Sequence, residues 1–191
     1  MPTLTTKRLI LREWTAADRE AFARINADRR VMEFLGEPLA REQSDQLADR
    51  IEAHYRKHGF SLCAAELAET REFIGFIGIA VPPFEAAFTP CVEIGWRLAA
   101  EHWGKGLATE GAREILRYAF EELKLADLVS MTAAGNERSR RVMEKIGMRR
   151  DPVDDFDHPH VPEGHALRPH VLYRLSRTQW IERARSIDQR S

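Results

Sequence analysis

At 191 residues, 43% apolar and 31% charged, the chain is long enough to bury a core and too apolar to belong to the disordered class. A formal net charge of −1 gives no general attraction to nucleic acid or to an anionic membrane, so neither is expected as a partner. No apolar run approaches the roughly 20 residues that span a bilayer, and the N-terminus lacks an apolar signal core, so a cytoplasmic location is expected.

Residues 7 to 13 alternate as a strand. Thr15-x-x-Asp18 then reads as a capping box opening a helix with Ala21, Phe22 and Ile25 on one face. Leu47, Ile51 and Tyr55 recur at helical spacing and mark a second helix ending near Gly59. His54 and His58 share a face of that helix and, without a third ligand, read as solvent-facing. Strands are predicted at about 60–67 and 72–81, turned by Glu69-Thr-Arg71, with Pro82-Pro83 stopping the second. Cys63 and Cys91 lie in apolar strand-like segments and read as small core residues, which suits a reducing compartment.

A strand follows over Val92 to Leu98, then Gly104-Lys-Gly106, then a helix to about residue 123. That helix carries Ala112, Ile115, Leu116 and Ala119 on one stripe and should pack against the sheet. Leu128 to Ala133 reads as a strand, Arg138 to Ile146 as a helix closed by Gly147, and Val171 to Leu175 as the last strand. Between them, residues 151 to 170 hold four prolines, four aspartates and four histidines. A stretch this irregular inside a domain is usually functional or disordered, and its flanking strands favour an ordered loop. It lines an acceptor site or is a surface excursion. The whole predicts an α/β (α+β) fold, with a mixed, mostly antiparallel sheet of six to seven strands and helices on both faces.

A glycine turn between a strand and a helix N-terminus aims backbone N–H groups at one point, where the helix dipole also favours an anion. No glycine here has the G-x-x-x-x-G-K-[ST] continuation of a Walker loop. A G-x-G-x-x-G dinucleotide fingerprint fails at its third glycine, where Thr109 stands, although Asp127 about 20 residues on keeps a nicotinamide reading open. The remaining pattern, Gly104-Lys-Gly106-Leu-Ala108 after an amphipathic strand, resembles the acetyl-CoA signature of the GNAT N-acetyltransferases.

Other segments carry the same resemblance in order: Leu4 to Arg12 with Trp14 and Asp18, then Asn136-Glu-Arg-Ser139 and the helix after it. Together they are most similar to the Rim-type branch, related to ribosomal-protein N-terminal acetyltransferases, over about residues 4 to 176. The resemblance implies a single acetyltransferase domain over 1–176, with 177–191 as a C-terminal helical tail. It implies acetyl-CoA as co-substrate, no metal, and an amine acceptor that is a protein N-terminus or a small molecule. Cofactor contacts fall on Trp96, Arg97 and Leu98 along the pantetheine, on Gly104, Lys105, Gly106, Leu107, Ala108 and Thr109 around the pyrophosphate, and on Asn136, Ser139, Arg140 and Lys145. Glu93 is the leading candidate for the base, with His102 second. Many relatives carry a tyrosine acid a few residues after the helix asparagine, where this chain has Met143. Ser139 is the available hydroxyl for a proton relay through water, and the acid is unassigned.

The acceptor sets the size of the task. A lysine-like amine costs about 4.6 kcal/mol to deprotonate at pH 7, an α-amine about 1. The sequence offers no powerful base, which favours a weakly basic amine. Histidines 158, 160, 165 and 170 could hold a metal beside Asp154, Asp155 and Asp157, but they lack ordered ligand spacing, and lining a substrate loop is the preferred reading. The same aspartates could attract a cationic amine. A strand edge or the helix from Thr178 offers a surface for a homodimer. A non-catalytic acyl-CoA-sensing module is the alternative class.

Overall fold

The computed structural model describes residues 2–188, with side chains to residue 183. Among them the chain gathers into two compact units, one of residues 2–80 and 94–115, the other of 81–93 and 116–188. No helix of the described residues is long and apolar enough to cross a membrane.

In the first unit, β1 (Leu4–Thr5), β2 (Leu9–Arg12), β3 (Leu62–Leu67) and β4 (Phe73–Ala80) pair antiparallel in that order. β5 (Glu93–Leu98), which joins this unit from Ile94 on, comes next. Register slips between Ala65 and Glu66, so that Ile74 is an extra residue on β4. Gly75 just beyond it has φ +132°, and a Cβ there would stand 2.0 Å from the carbonyl oxygen of Arg97. Only glycine permits that approach.

Helices cover both faces of this sheet. α1 (Asp18–Ala27) and α3 (Arg41–His58) bury Phe22, Ala48 and Ile51 against Phe76. α4 (Leu107–Arg117) lies on the opposite side, where a Cβ on its Gly111 would clash with Ile77 at 2.4 Å and crowd Leu9 at 3.2 Å. A short α2 (Arg29–Met32), capped by Asp28, follows α1. Gly59, in the left-handed region at φ +75°, closes α3 where its periodicity predicts.

Two local readings change. Asp18 does accept from Thr15, at 2.7 Å from the backbone nitrogen and 3.0 Å from the hydroxyl, but Thr15 caps nothing in return. Asp18 is instead buried against Arg12, whose guanidinium also binds Glu66. His54 and His58 face solvent only in part. They are half-buried and stacked at 4.4 Å, with His54 Nδ1 at 2.9 Å from the Phe60 carbonyl and its pKa lowered by burial.

The second unit is built on β6 (Asp127–Ala133), which pairs antiparallel with β9 (Pro169–Ser176) along its whole length. β7 (Arg149–Arg150) and β8 (Phe156–Asp157) also pair antiparallel with β9, and Glu93 stands in parallel register with Val129. α5 (Glu137–Ile146) buries Met143 and Ile146 and stops at Gly147, φ +96°. α6 (Arg177–Asp188) follows, with Trp180 against Phe120. The helix predicted to about 123 changes pitch on the way. After Arg117 the residues Tyr118–Glu122 widen to i→i+5 bonding, and Leu123 N donates to Tyr118 O. Pairing is mostly antiparallel, and the architecture is the mixed α/β class that the element order predicts.

Candidate functional site

The glycine turn has the geometry of an anion cradle. Gly104 and Gly106 both lie in the left-handed region, at φ +73° and +78°. A Cβ on Gly104 would meet nothing within 4 Å, so the demand there is conformational and the space beside it is open. Glu110 N is the first to bond back into α4, to Gly106 O at 3.0 Å. The N–H groups of the residues before it have no intrahelical acceptor, as at any helix start.

A clamp from the turn between β1 and β2 fixes the loop. Arg8 donates through Nη1 to the Lys105 carbonyl at 2.9 Å and through Nε to Glu110 Oε2 at 2.6 Å. Glu110 also accepts from Thr6 Oγ1 at 2.6 Å and from the Arg8 backbone at 2.8 Å. Burial opposes ionisation of Glu110, yet bonds from Thr6 and Arg8 prevail and hold its pKa below the usual value. A carboxylate in the first turn of a helix opposes any anion at that N-terminus, and the Arg8 guanidinium at 2.6 Å offsets the charge of Glu110. These residues escaped the sequence reading because the partners lie about a hundred positions apart.

The other candidates of the first unit are Trp96, Arg97 and Leu98 on β5, and His102. Trp96 is half-buried and Leu98 buried. His102 is buried in a single 3₁₀ turn, its Nε2 at 3.4 Å from Glu72 Oε1, so its ring is already engaged. Trp103 Nε1 donates to the Leu98 carbonyl at 2.8 Å and pins the link between strand and loop. Arg97 donates through Nη1 to Asn26 Oδ1 at 2.6 Å, and burial draws its pKa down to about 10.

The second unit holds Glu93, Asn136, Ser139, Arg140 and Lys145. Burial pushes the Glu93 carboxyl up to about 7, against a weaker opposing bond from the Met131 N–H. A carboxylate poised near neutrality is suited to take a proton from an amine. Asn136 caps α5. Its Oδ1 accepts from Ser139 N at 3.2 Å while its Nδ2 donates to Thr132 Oγ1 at 2.9 Å. Arg140 Nη1 binds the Ala134 carbonyl at 3.1 Å, and Lys145 is exposed. Met143 is fully buried, so this part of α5 offers packing. Tyr173 instead donates to Glu144 Oε1 at 2.9 Å.

Cys63 is buried and its thiol is pushed up to about 12 by that burial. Cys91 is only half-buried, a departure from the core reading, and burial followed by the Glu93 charge raises it to about 11.

The segment 151–170 carries a 3₁₀ turn (Pro152–Asp154) and β8. Its four aspartates have partners: Asp154 is paired with Arg174 at 2.6 Å, Asp155 with Arg150 and Asp157 with Arg168 at 3.2 Å, and Asp151 Oδ1 accepts from Val153 N at 3.1 Å. In their place the loop shows rings. His158 stands 4.8 Å from both Phe84 and His170, and Phe156 stands 4.8 Å from Phe88. Burial, then the neighbouring His170 and His160, lowers His158 to about 4. Among the described residues no three His, Cys, Asp or Glu side chains gather as a metal site would require.

The chain is similar to known acetyltransferases. The model of the acetyltransferase (GNAT) domain matches residues 8–149. The chain is 33% identical to the FsC-acetyl coenzyme A-N(2)-transacetylase of Aspergillus fumigatus, over 94% of this chain and 78% of that one. It is 32% identical to a solved acetyltransferase of Agrobacterium tumefaciens, covering 92% of this chain and 94% of that one with a TM-score of 0.73. A 55-residue stretch is 49% identical to Bacillus subtilis YdaF, provisionally named a ribosomal N-acetyltransferase, covering 29% of this chain and 30% of that one.

Proposed function

Since the chain belongs to the GNAT acetyltransferase family, we propose that it moves an acetyl group from acetyl-CoA directly to a primary amine held in the same ternary complex. Acetyl-CoA supplies the activated acyl group: the amine nitrogen bonds to its carbonyl carbon, the thioester C–S bond breaks, and CoA leaves as the thiolate. The open, positive-φ turn of Gly104 and Gly106, ahead of free first-turn N–H groups, fits a pyrophosphate. Lys105, Leu107, Ala108 and Thr109 contribute backbone there, and Trp96 to Leu98 run beside the pantetheine arm. Asn136, Ser139, Arg140 and Lys145 serve the cofactor from α5.

Glu93 takes the proton from the amine. The observation that carries this role is its carboxyl, raised to about 7 by burial with one backbone N–H as partner. At neutral pH about half of it is ionised, and an α-amine then needs only about 1 kcal/mol more to be neutral. His102 falls behind, because its ring already faces Glu72. The Rim-like resemblance and the similarity to YdaF, provisionally named a ribosomal N-acetyltransferase, support a protein N-terminus as one acceptor, and a small-molecule amine is the other.

Calorimetric titration of acetyl-CoA into the wild type and Gly106→Glu tests the cofactor assignment. The substitution places a side chain and a negative charge where the pyrophosphate belongs. Micromolar binding that disappears in a folded variant is the expected result. Equal binding by both removes the assignment, and binding without thiol release across a broad amine panel makes the protein an acyl-CoA sensor.

A further inference from the structure

The tie between Arg8 and the glycine turn does more than a helix start needs. Glu110 stands in the first turn of α4, where a carboxylate suits the helix dipole, and its pair with Arg8 Nη2 at 2.6 Å would alone be an ordinary surface ion pair. The bond from Arg8 Nη1 to the Lys105 carbonyl at 2.9 Å differs in kind, because Lys105 precedes the helix and its carbonyl has no part in the helical ladder. A peptide group is planar and trans, so holding the Lys105 oxygen also sets the Gly106 N–H, which points the opposite way. No acceptor among the described residues takes that N–H, and Gly106 is exposed.

The base of the clamp is itself tied down. The Arg8 N–H donates to Glu110 Oε1 at 2.8 Å, and the Arg8 carbonyl accepts from Ala68 N at 2.9 Å. Thr6 Oγ1 donates to the same Glu110 oxygen at 2.6 Å and accepts from Leu9 N at 3.0 Å, which closes the turn between β1 and β2. Each Glu110 oxygen thus has two donors against it: Thr6 Oγ1 and Arg8 N on one, Arg8 Nε and Nη2 on the other. A carboxylate so filled has no acceptor capacity to spare. The turn it helps to hold needs holding. Gly104 and Gly106 both sit at positive φ, and glycine loses more freedom on being fixed than any other residue. A turn left loose meets that loss when a ligand arrives, at about tenfold in affinity for each residue ordered.

We propose that Arg8, with Thr6 and Glu110 behind it, is a positioning residue of the donor site: it fixes the Lys105–Gly106 peptide so that the Gly106 N–H is already aimed when a pyrophosphate binds. The proposal rests on the acetyl-CoA reading above and deepens it. Arg8 acts through the backbone of the turn, so the fork of its guanidinium matters more than its charge.

Calorimetric titration of acetyl-CoA into the wild type, Arg8→Gln and Arg8→Lys tests this. The side chain is 45% exposed, so replacing it opens no cavity. Arg8→Gln should weaken binding about tenfold. Arg8→Lys keeps the charge but cannot hold Lys105 and Glu110 together, and should weaken binding at least about 3-fold. A ligand-free readout accompanies these, the 15N order parameters of the Gly104 and Gly106 amides, which should fall from about 0.85 in the wild type to below about 0.6 in Arg8→Gln. Full recovery of affinity in Arg8→Lys makes Arg8 a charge and overturns the proposal. So does a turn equally rigid in wild type and Arg8→Gln, or a variant that loses stability in urea yet binds acetyl-CoA as tightly as the wild type. If the wild type binds no acetyl-CoA, the cofactor reading falls and the proposal with it. If wild type and Arg8→Gln bind it alike, the proposal falls alone.

Discussion

Arg12 and Arg97 are both arginines on strands of the first unit, and their surroundings are opposite. Arg12 donates to both carboxylate oxygens of Asp18, at 2.8 and 2.9 Å, and through Nε to Glu66 at 2.8 Å. The bonds to Asp18 lead a set that lifts its pKa above the ordinary value despite burial. Burial also works against ionised Asp18, but Arg12 and Thr15 outweigh it and hold that carboxyl low. Arg97 has an amide, a ring and a solvent-sealed nitrogen, and its pKa moves the other way. Glu93 matches Arg97 in the second unit, a carboxyl raised by burial with one backbone partner. Arg12 and Asp18 supply each other's countercharge, whereas the partners of Arg97 and Glu93 among the described residues are neutral.

The contrast makes opposite demands on mutants. Glu93→Gln should lower kcat/KM by about 10²–10³-fold, and the acid limb of the wild-type profile should lie near pH 7. Stability should move the other way. A carboxyl with a raised folded pKa costs nothing while both states are protonated, begins to cost above its ordinary value of 4.5, and costs in full above about 7. Urea unfolding should therefore show the variant equal to wild type at pH 4 and about 2–3 kcal/mol more stable at pH 8. A variant weaker at both pH values would make Glu93 a structural residue.

Asp18→Asn breaks a compensated charge and should behave in reverse. It strands Arg12 with half its partners, costing about 3 kcal/mol in chemical denaturation, while kcat/KM per folded molecule stays at the wild-type level. Because the Asp18 pKa is depressed, the contribution is complete above its ordinary value of 3.8 and lost as pH falls below it. The smallest effect belongs to His158. Its folded value of about 4 means that the unfolded chain takes a proton first, so stability declines as pH falls from about 6.5 to 4. His158→Gln should flatten that decline by less than about 1 kcal/mol, since the ring is partly solvated. A steeper decline would remove the neutral ring from the account.

The elements were legible where a signal is local. Gly59 and Gly147 end helices because a left-handed cap needs one residue, and the turn at Gly104 and Gly106 shows itself in the same way. What stayed hidden was pairing across long separations. Thr15 and Asp18 look like a cap because they are three apart, but Arg12, six residues before Asp18, takes the carboxylate once β2 and β3 bring Glu66 alongside. The aspartates of the 151–170 segment look available for a cationic substrate until Arg150, Arg168 and Arg174 claim them. The clamp of Arg8 on Glu110 gave no sign, since neither residue belongs to a motif that needs the other. The pitch change after Arg117 was equally silent, because five residues are too few to separate a period of 3.6 from a wider one.

Gly75 and Gly104 show how intolerance to substitution can mislead. A saturation library read out by survival would return glycine at both positions, and a ranking of sites by constraint would place them together. Position 75 admits no side chain because the neighbouring strand already occupies the volume, whereas position 104 opens onto empty space and objects only to handedness. A D-alanine installed by chemical ligation separates the two kinds of constraint at position 104, where its handedness suits the backbone and its methyl group then tests whether anything needs to approach.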